Sequence, residues 1–335
     1  MKLATYKDGS RDGQLIVVSR DLRMAHYATG IASRLQQVLD DWGFLAPQLQ
    51  DLYHLLNTGR ARHAFAFDPM QCMAPLPRAF HWAEAQAYPS HAALTDPEQA
   101  LARTEPQIRH GAGDSLAGPC DDIVVPSAAL GIDMGAGWAA ITGDLPMGCS
   151  AEEALHGVRL LMLSHTLTLR QLSATTAQVQ RTPVTGFSPV AVTVDELGDA
   201  WKGGRVHLPL QTSFNGRKTG MCEAGEGMDF SMSQLLSHLC RTRSLQAGAI
   251  VGSGVVSNPG QLTGRGKERR TDWPRGAHCL AEKRLMENHL KDSASTPWMQ
   301  FGDTVRSEMK GRDGQSIFGA MDHTIVSPQG DGSAD

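Results

Sequence analysis

The chain lacks most of the features that classify a protein quickly. Its six cysteines, Cys72, Cys120, Cys149, Cys222, Cys240 and Cys279, show no CxxC spacing. That argues against a zinc ribbon and a disulfide framework, and suits reduced thiols in a cytoplasmic protein. No signal-peptide-like apolar segment opens the chain and no apolar run reaches 18 residues, so no membrane association is expected. Neither sign of charge dominates: the net charge is −4 and the pI about 6.3, which leaves no electrostatic footprint for nucleic acid. The densest basic run, Arg265 to Arg270, reads as a solvated loop. No internal repeat is evident.

A hydrophobic content of 41% across 335 residues is enough for a sizeable core, and the length suits a large domain plus a smaller one. The stretch from Ile123 to Arg170 organises the chain. Ile132, Met134, Ala136, Trp138 and Ala140 alternate with Asp133, Gly135, Gly137 and Ala139, the period-2 pattern of a strand. Gly143-Asp144 signals a turn, Ser150 an N-cap with Glu152 and Glu153 in the first helical turn, and Val158 to Leu163 a buried returning strand. Two glycines spaced two apart on one strand face mark a bulge or a close approach.

Residues 1–75 read as a small first unit. Lys2 to Tyr6 and Gln14 to Ser19 are strands around Asp8-Gly9-Ser10. Ser33 to Trp42 and Leu49 to Asn57 carry helical apolar stripes, with Gly43 and Gly59 at helix ends. Pro69, Pro75 and Pro77 form a stiff join. A second unit spans residues 80–325, with a short helix expected around Pro97 to Arg103. Phe187 to Thr193 reads as a strand, and Asp195 to Gly198 as a helical turn. A hairpin is expected about Asn215-Gly216, a helix over Ser231 to Arg241, and strands at Ala249–Ser253, Cys279–Arg284, Thr304–Met309 and Ser316–Ala320. The end of the chain, 326–335, reads as a disordered tail, already polar from Asp322. Strands dominate, which suggests a mixed β-roll or barrel rather than a βαβ repeat.

Four places carry candidate chemistry. Glu84 and His91, seven residues apart, suit a metal or general-base role or a polar surface loop. Arg170 ends an apolar strand, at a cleft mouth or in a structural ion pair. Ile250 to Asn258 (IVGSGVVSN) runs a strand into a turn that cradles an anion or is merely tight, without the lysine of a P-loop. Glu282 lies in an apolar segment and needs a partner, since unpaired burial is costly. His81 and His110 read as loose surface imidazoles.

The segments LQDLYHLLNTGRARHAF, QCMAPLPRAFHWAEAQAYPSH, GPCDDIVVPSAALGID, FSPVAVTVDELGDAW, NGRKTGMC, VGSGVVSN and GDTVRSEMKGRDGQSIFGA resemble the fumarylacetoacetate hydrolase family over nearly the whole chain. The resemblance implies an α+β fold with a small N-terminal domain and a C-terminal mixed β-roll, and a homodimer. It implies a Mg²⁺- or Ca²⁺-dependent hydrolase cleaving a carbon–carbon bond in a β-diketone or oxo-acid, as in aromatic amino-acid catabolism. Other members of the family are decarboxylases, isomerases or hydratases. His91 and Glu282 match the family's catalytic dyad, Arg170 its substrate-facing arginine, and Gly254 with Val255 its substrate-side turn. Glu84 replaces the first metal-binding aspartate.

The other metal positions are lost. Gly135 and Gly137 stand for two glutamates, Thr166 for an aspartate, Thr182 for a lysine, and Val255 for a threonine. A hard cation depends on carboxylate charge, and losing one electrostatic stabiliser costs about 10²–10³ in rate. Family hydrolysis is therefore expected to be impaired. The alternatives are an inactive binding or scaffold homologue and a metal-independent lyase or tautomerase using His91. A site rebuilt from Glu84, Asp133 and a shifted His165 is a further option and suits Zn²⁺ or Mn²⁺. A regular strand nevertheless points His165 away from Thr166.

Overall fold

The computed structural model describes residues 1–95, 104–114, 116–173, 175–264 and 268–328. The expected helix near Pro97, the start of the basic run at Arg265 and the tail from 329 lie outside the described residues. No helix among those described is long and apolar enough to cross a membrane.

The hairpin expected between Ile123 and Arg170 is the centre of the molecule. Strands Ile132–Thr142 and Val158–Leu169 pair antiparallel, with Gly135 opposite Thr166 and Gly137 opposite Ser164. Ser150 caps the short helix Ala151–His156 between them, in a reciprocal capping box with Glu153. All eleven positions of Ile132–Thr142 are buried. Alternation therefore sorts side chains between two packed faces rather than between core and water. Ala136, Trp138 and Ala140 join one hydrophobic cluster, and Ala139 and Ile141 another. Trp138 donates its Nε1–H to the Tyr88 hydroxyl at 3.1 Å, and that hydroxyl donates to the Ala224 carbonyl at 2.6 Å, so both buried aromatic tips are satisfied.

An eleven-stranded mixed sheet grows outward from this hairpin. On one side Val158–Leu169 pairs with Ala191–Val192, which pairs with Lys2–Tyr6. Gln14–Val18, Met24–Tyr27 and Phe65–Ala66 follow. On the other side Ile132–Thr142 pairs with Ile250–Val255, which runs parallel to Trp82–Ala85. The strands of the first 66 residues thus continue the sheet of the later ones. Helices Leu35–Asp40 and Trp42–Asn57 cover them, burying Leu35, Val38, Leu49 and Tyr53. A five-stranded second sheet contains the expected hairpin: Asn215 and Gly216 sit at φ 46° and 72°, the left-handed pair that a two-residue turn demands.

Four local expectations are corrected. Cys279–Arg284 is not a strand; Leu280–Lys291 is a helix, with Glu282 in its first turn. Its run of Leu, Ala, Glu, Lys, Arg and Met favours helix, and three apolar residues at its start are too few to define a strand period. The last strand is Met321–Val326, not Ser316–Ala320, and it pairs with both Thr304–Met309 and Ile123–Val124. Residues 322–326 accordingly belong to a strand, because Met321, His323 and Ile325 alternate into the core. Gly43 lies inside the second helix rather than at an end.

Candidate functional site

The site forms where the hairpin, the parallel strand pair and two helices converge. Strand Trp82–Ala85 holds Glu84 beside Gly252 of its parallel neighbour. Helix Pro89–Thr95 then carries His91 onto the first turn of Leu280–Lys291, where His91 Nδ1 meets Glu282 Oε1 at 2.8 Å. Glu282 is fully buried. The helix it sits on is capped from a distance. Its own N-cap residue, Cys279, makes no side-chain cap bond. Instead the Asp133 carboxylate accepts the Leu280 N–H at 2.7 Å and the Ala281 N–H at 3.2 Å. A carboxylate at a helix N-terminus is favoured by the dipole and the orphan N–H groups.

The same carboxylate receives Arg170, whose Nε donates at 3.0 Å and whose Nη2 lies at 2.9 Å. Burial alone would lower the pKa of Arg170, but the Asp133 charge and hydrogen bond hold it above its ordinary value. Arg170 is thus both a structural ion-pair member and a wall of the cavity.

That cavity has a volume of about 90 Å³ and is lined by Glu84, His91, Thr166, Arg170, Thr182, Gly254 and Val255, together with Gln86, Arg109, Thr168, Gln178 and Arg181. The structure brings together every site residue expected from the sequence except Glu282, Gly135 and Gly137, which stand behind its walls. Asp133 is held by the helix and Arg170. His165 faces away from the cavity, its Nδ1 at 2.9 Å from Nδ1 of His323, so a rebuilt metal site using it is excluded. His81 is buried rather than on the surface; it meets the ring of His110 edge-on, and burial lowers its pKa to about 4.

Sequence reasoning missed Arg109, Arg181 and Gln178. One signal was available: Arg181 immediately precedes the position where the family resemblance places a lysine, so a cation survives one residue away. Arg109 sits on an edge strand opposite Glu84, a pairing invisible before the fold is known.

A hard divalent cation does not fit these residues. Glu84 is the one carboxylate in the lining, and its Oε1 already accepts the Thr166 hydroxyl at 2.6 Å. Burial pushes its carboxyl above the usual carboxylate range, against Thr166 and the nearby positive groups. The two glycines are closed off as well. A Cβ on Gly135 would stand 2.4 Å from Val255 Cγ2, and one on Gly137 would stand 2.3 Å from the Gly254 carbonyl oxygen. Gly254 itself is at φ 79° with its would-be Cβ against the Ala85 carbonyl, so the turn closing this wall requires glycine. Arg109, Arg170 and Arg181 line the cavity with Glu84, and Arg170 is paired with Asp133 behind the wall. One lining carboxylate is too few to hold Mg²⁺ or Ca²⁺.

Two family models match the chain. Residues 1–78 match the model of the fumarylacetoacetase N-terminal domain 2, and residues 81–326 that of the fumarylacetoacetate hydrolase C-terminal domain. No curated protein matches. Among solved structures, fumarylacetoacetate hydrolase from psychrophilic Exiguobacterium antarcticum is 18% identical, with a TM-score of 0.64 over 98% of this chain and 99% of its own. Maleylpyruvate hydrolase from Sphingobium sp. SYK-6, in complex with manganese(II) ion and pyruvate, is 15% identical, with a TM-score of 0.63 over 98% and 100%. A 2-hydroxyhepta-2,4-diene-1,7-dioate isomerase from Mycobacterium marinum is 14% identical, with a TM-score of 0.57 over 98% and 99%. Identities this low show the fold alone, but the two family models together span nearly the whole chain. With both domains matched and the β-roll in place, the chain belongs to the fumarylacetoacetate hydrolase family.

Proposed function

We propose that the protein binds a small 2-oxo acid in the arginine-lined cavity and moves a proton on the carbon beside its ketone, without a hard divalent cation. It would act as a lyase or tautomerase rather than a carbon–carbon bond hydrolase. The observation that carries this reading is the intact His91–Glu282 pair beside a cavity stripped of metal carboxylates.

Glu282 accepts the His91 Nδ1–H, which fixes the tautomer with a lone pair on Nε2. Nε2 takes the proton from the carbon next to the carbonyl, and the electron pair moves onto the carbonyl oxygen. Glu282 stabilises the imidazolium that forms. Arg170 and its neighbours hold the substrate carboxylate and the developing enolate charge, a task that preorganised cationic donors perform well. The guanidinium of Arg170 has five N–H donors, and Asp133 engages only its Nε and Nη2 edge. Returning the proton to carbon or to oxygen completes a tautomerisation. The cavity, at about 90 Å³, lies well below the ~300–1,000 Å³ of drug-sized pockets, which suits acids of a few carbons.

The test is deuterium incorporation into pyruvate in D₂O, followed by proton NMR with EDTA present. Exchange above the uncatalysed rate, lost in His91→Gln, supports the reading. Exchange that appears only when Mg²⁺ or Mn²⁺ is added refutes it. Binding of pyruvate without exchange also refutes catalysis, and assigns the chain to the second reading, a non-catalytic oxo-acid binder.

A further inference from the structure

His91, Cys279 and Glu282 form the one group of three potential metal-ligating residues among the described residues. All three are buried, and one ligand atom of each lies within 4.8 Å of the other two. Cys279 Sγ is 4.0 Å from His91 Nδ1, and that nitrogen is 2.8 Å from Glu282 Oε1. A second observation points to a missing ligand. Glu282 is fully buried, and its Oε2 has no hydrogen-bond partner. A buried carboxylate oxygen without a donor carries its full desolvation cost.

We propose that this trio is a site for a soft divalent cation of the Zn²⁺ class, bound by one nitrogen, one sulfur and one carboxylate oxygen. The trio supplies three positions of a tetrahedral shell and leaves the fourth for a water molecule. The site is distinct from the lost oxygen-ligand site in both chemistry and members. Zn²⁺ takes thiolate at about 2.3 Å and imidazole or carboxylate at about 2.0–2.2 Å, which sets tetrahedral ligand atoms roughly 3.3–3.6 Å apart. The observed 2.8 Å and 4.0 Å bracket that spacing and the third pair lies within 4.8 Å, so side-chain shifts of up to about an ångström close the shell.

Loading balances as follows. Cys279 releases its thiol proton to solvent, and the cation takes the thiolate. The His91 Nδ1 lone pair becomes the ligand, so the ring proton moves to Nε2. Glu282 exchanges its hydrogen bond from His91 for a bond to the cation. The consequence is specific: a His91 ring bound through Nδ1 and protonated on Nε2 has no lone pair for a substrate. A soft cation therefore blocks proton transfer at His91, whereas a hard cation such as Mg²⁺, which avoids thiolate, does not. The metal site itself does not rest on the proton-transfer reading and is measured without it.

The experiment is titration of the full-length protein with Co²⁺, watching thiolate-to-cobalt charge-transfer absorption and the visible bands of a four-coordinate ion. The expected result is one equivalent bound with a charge-transfer band, displaced by Zn²⁺. The band disappears in Cys279→Ser and Cys279→Ala, and it persists in Cys240→Ser, which controls for the other buried thiols. His91→Gln should weaken binding by at least the roughly 10–100-fold that loss of a supporting group costs. Thermal melts of the cysteine variants confirm that they are folded, and two variants guard against failure of one. No band in the wild type at millimolar Co²⁺, or a band that survives both Cys279 variants, overturns the proposal.

Discussion

Adjacent residues on one strand, His165 and Thr166, end up in two different chemistries. Thr166 faces the cavity and donates to Glu84; His165 faces the packed side and meets another imidazole, His323, which in turn reaches the Gly118 carbonyl at 2.9 Å. His91, by contrast, has a carboxylate behind it and a cavity in front. Burial is common to His91 and His165, so burial does not make a histidine functional. What separates them is an orienting acceptor on one nitrogen and open space at the other. Burial drives the pKa of His165 well below its ordinary value, which keeps it neutral and fit for packing.

The largest effect that would sharpen this comparison is on activity. His91→Gln should lower the exchange rate by about 10²–10⁴-fold, the usual worth of a general base. His165→Gln should leave the rate within about twofold while lowering the melting temperature, because it touches packing and the His323 hydrogen bond but not the cavity. Equal losses of rate in both would break the contrast between the two faces.

Next comes Asp133, which joins the two functions of the cavity wall. Asp133→Ala removes the partner of a buried Arg170 and the cap of the Leu280–Lys291 helix. Breaking a buried pair from one side costs about 3–5 kcal/mol. Urea unfolding measures it; a loss under about 1 kcal/mol, the range of exposed pairs, would show that the pair is not structural.

The packed face also predicts an acid response. His278 is buried, accepts the Cys222 N–H on Nε2 at 3.1 Å and bonds Thr212 through Nδ1, and burial lowers its pKa to about 3. Protonating Nε2 would set a proton against that N–H. The unfolded chain takes up a proton below about 6.5 and the folded chain does not, so stability is full above that pH and falls on acidification until about pH 3. His165 and His323 shift in the same direction. Calorimetry between pH 7 and 5 should show the unfolding free energy falling by up to about 1.4 kcal/mol per pH unit per histidine, with a matching drop in melting temperature, before carboxylates titrate. A flat profile down to pH 5 would contradict neutral burial.

The smallest expected effects are at the glycines. Gly137→Ala drives a methyl against a backbone carbonyl and should cost about 1–3 kcal/mol. Gly135→Ala meets a valine methyl instead, and Val255→Ala should relieve it in a double-mutant cycle. Additivity in that cycle would mean the two residues do not share the space.

Much of this was legible in the sequence. The hairpin, its capped helix and the Asn215-Gly216 turn follow from period and turn chemistry, which are local. The pairing of His91 with Glu282 came from the family resemblance, since the two lie on separate helices and the second helix had read as a strand. Asp133 was visible as a carboxylate on the glycine face, but nothing local shows that it caps a helix 147 residues away. The cationic lining was hidden for the same reason: Arg109 and Arg181 meet Arg170 only through the sheet and loop that fold them together.

The central claim is that this cavity takes an anion rather than a hard cation. Isothermal titration with pyruvate in EDTA, and with Mg²⁺ in the absence of acid, tests it most directly. The account predicts saturable binding of pyruvate without metal, weakened in Arg170→Met, and no heat from Mg²⁺. Micromolar Mg²⁺ binding, or pyruvate binding that requires Mg²⁺, would contradict it.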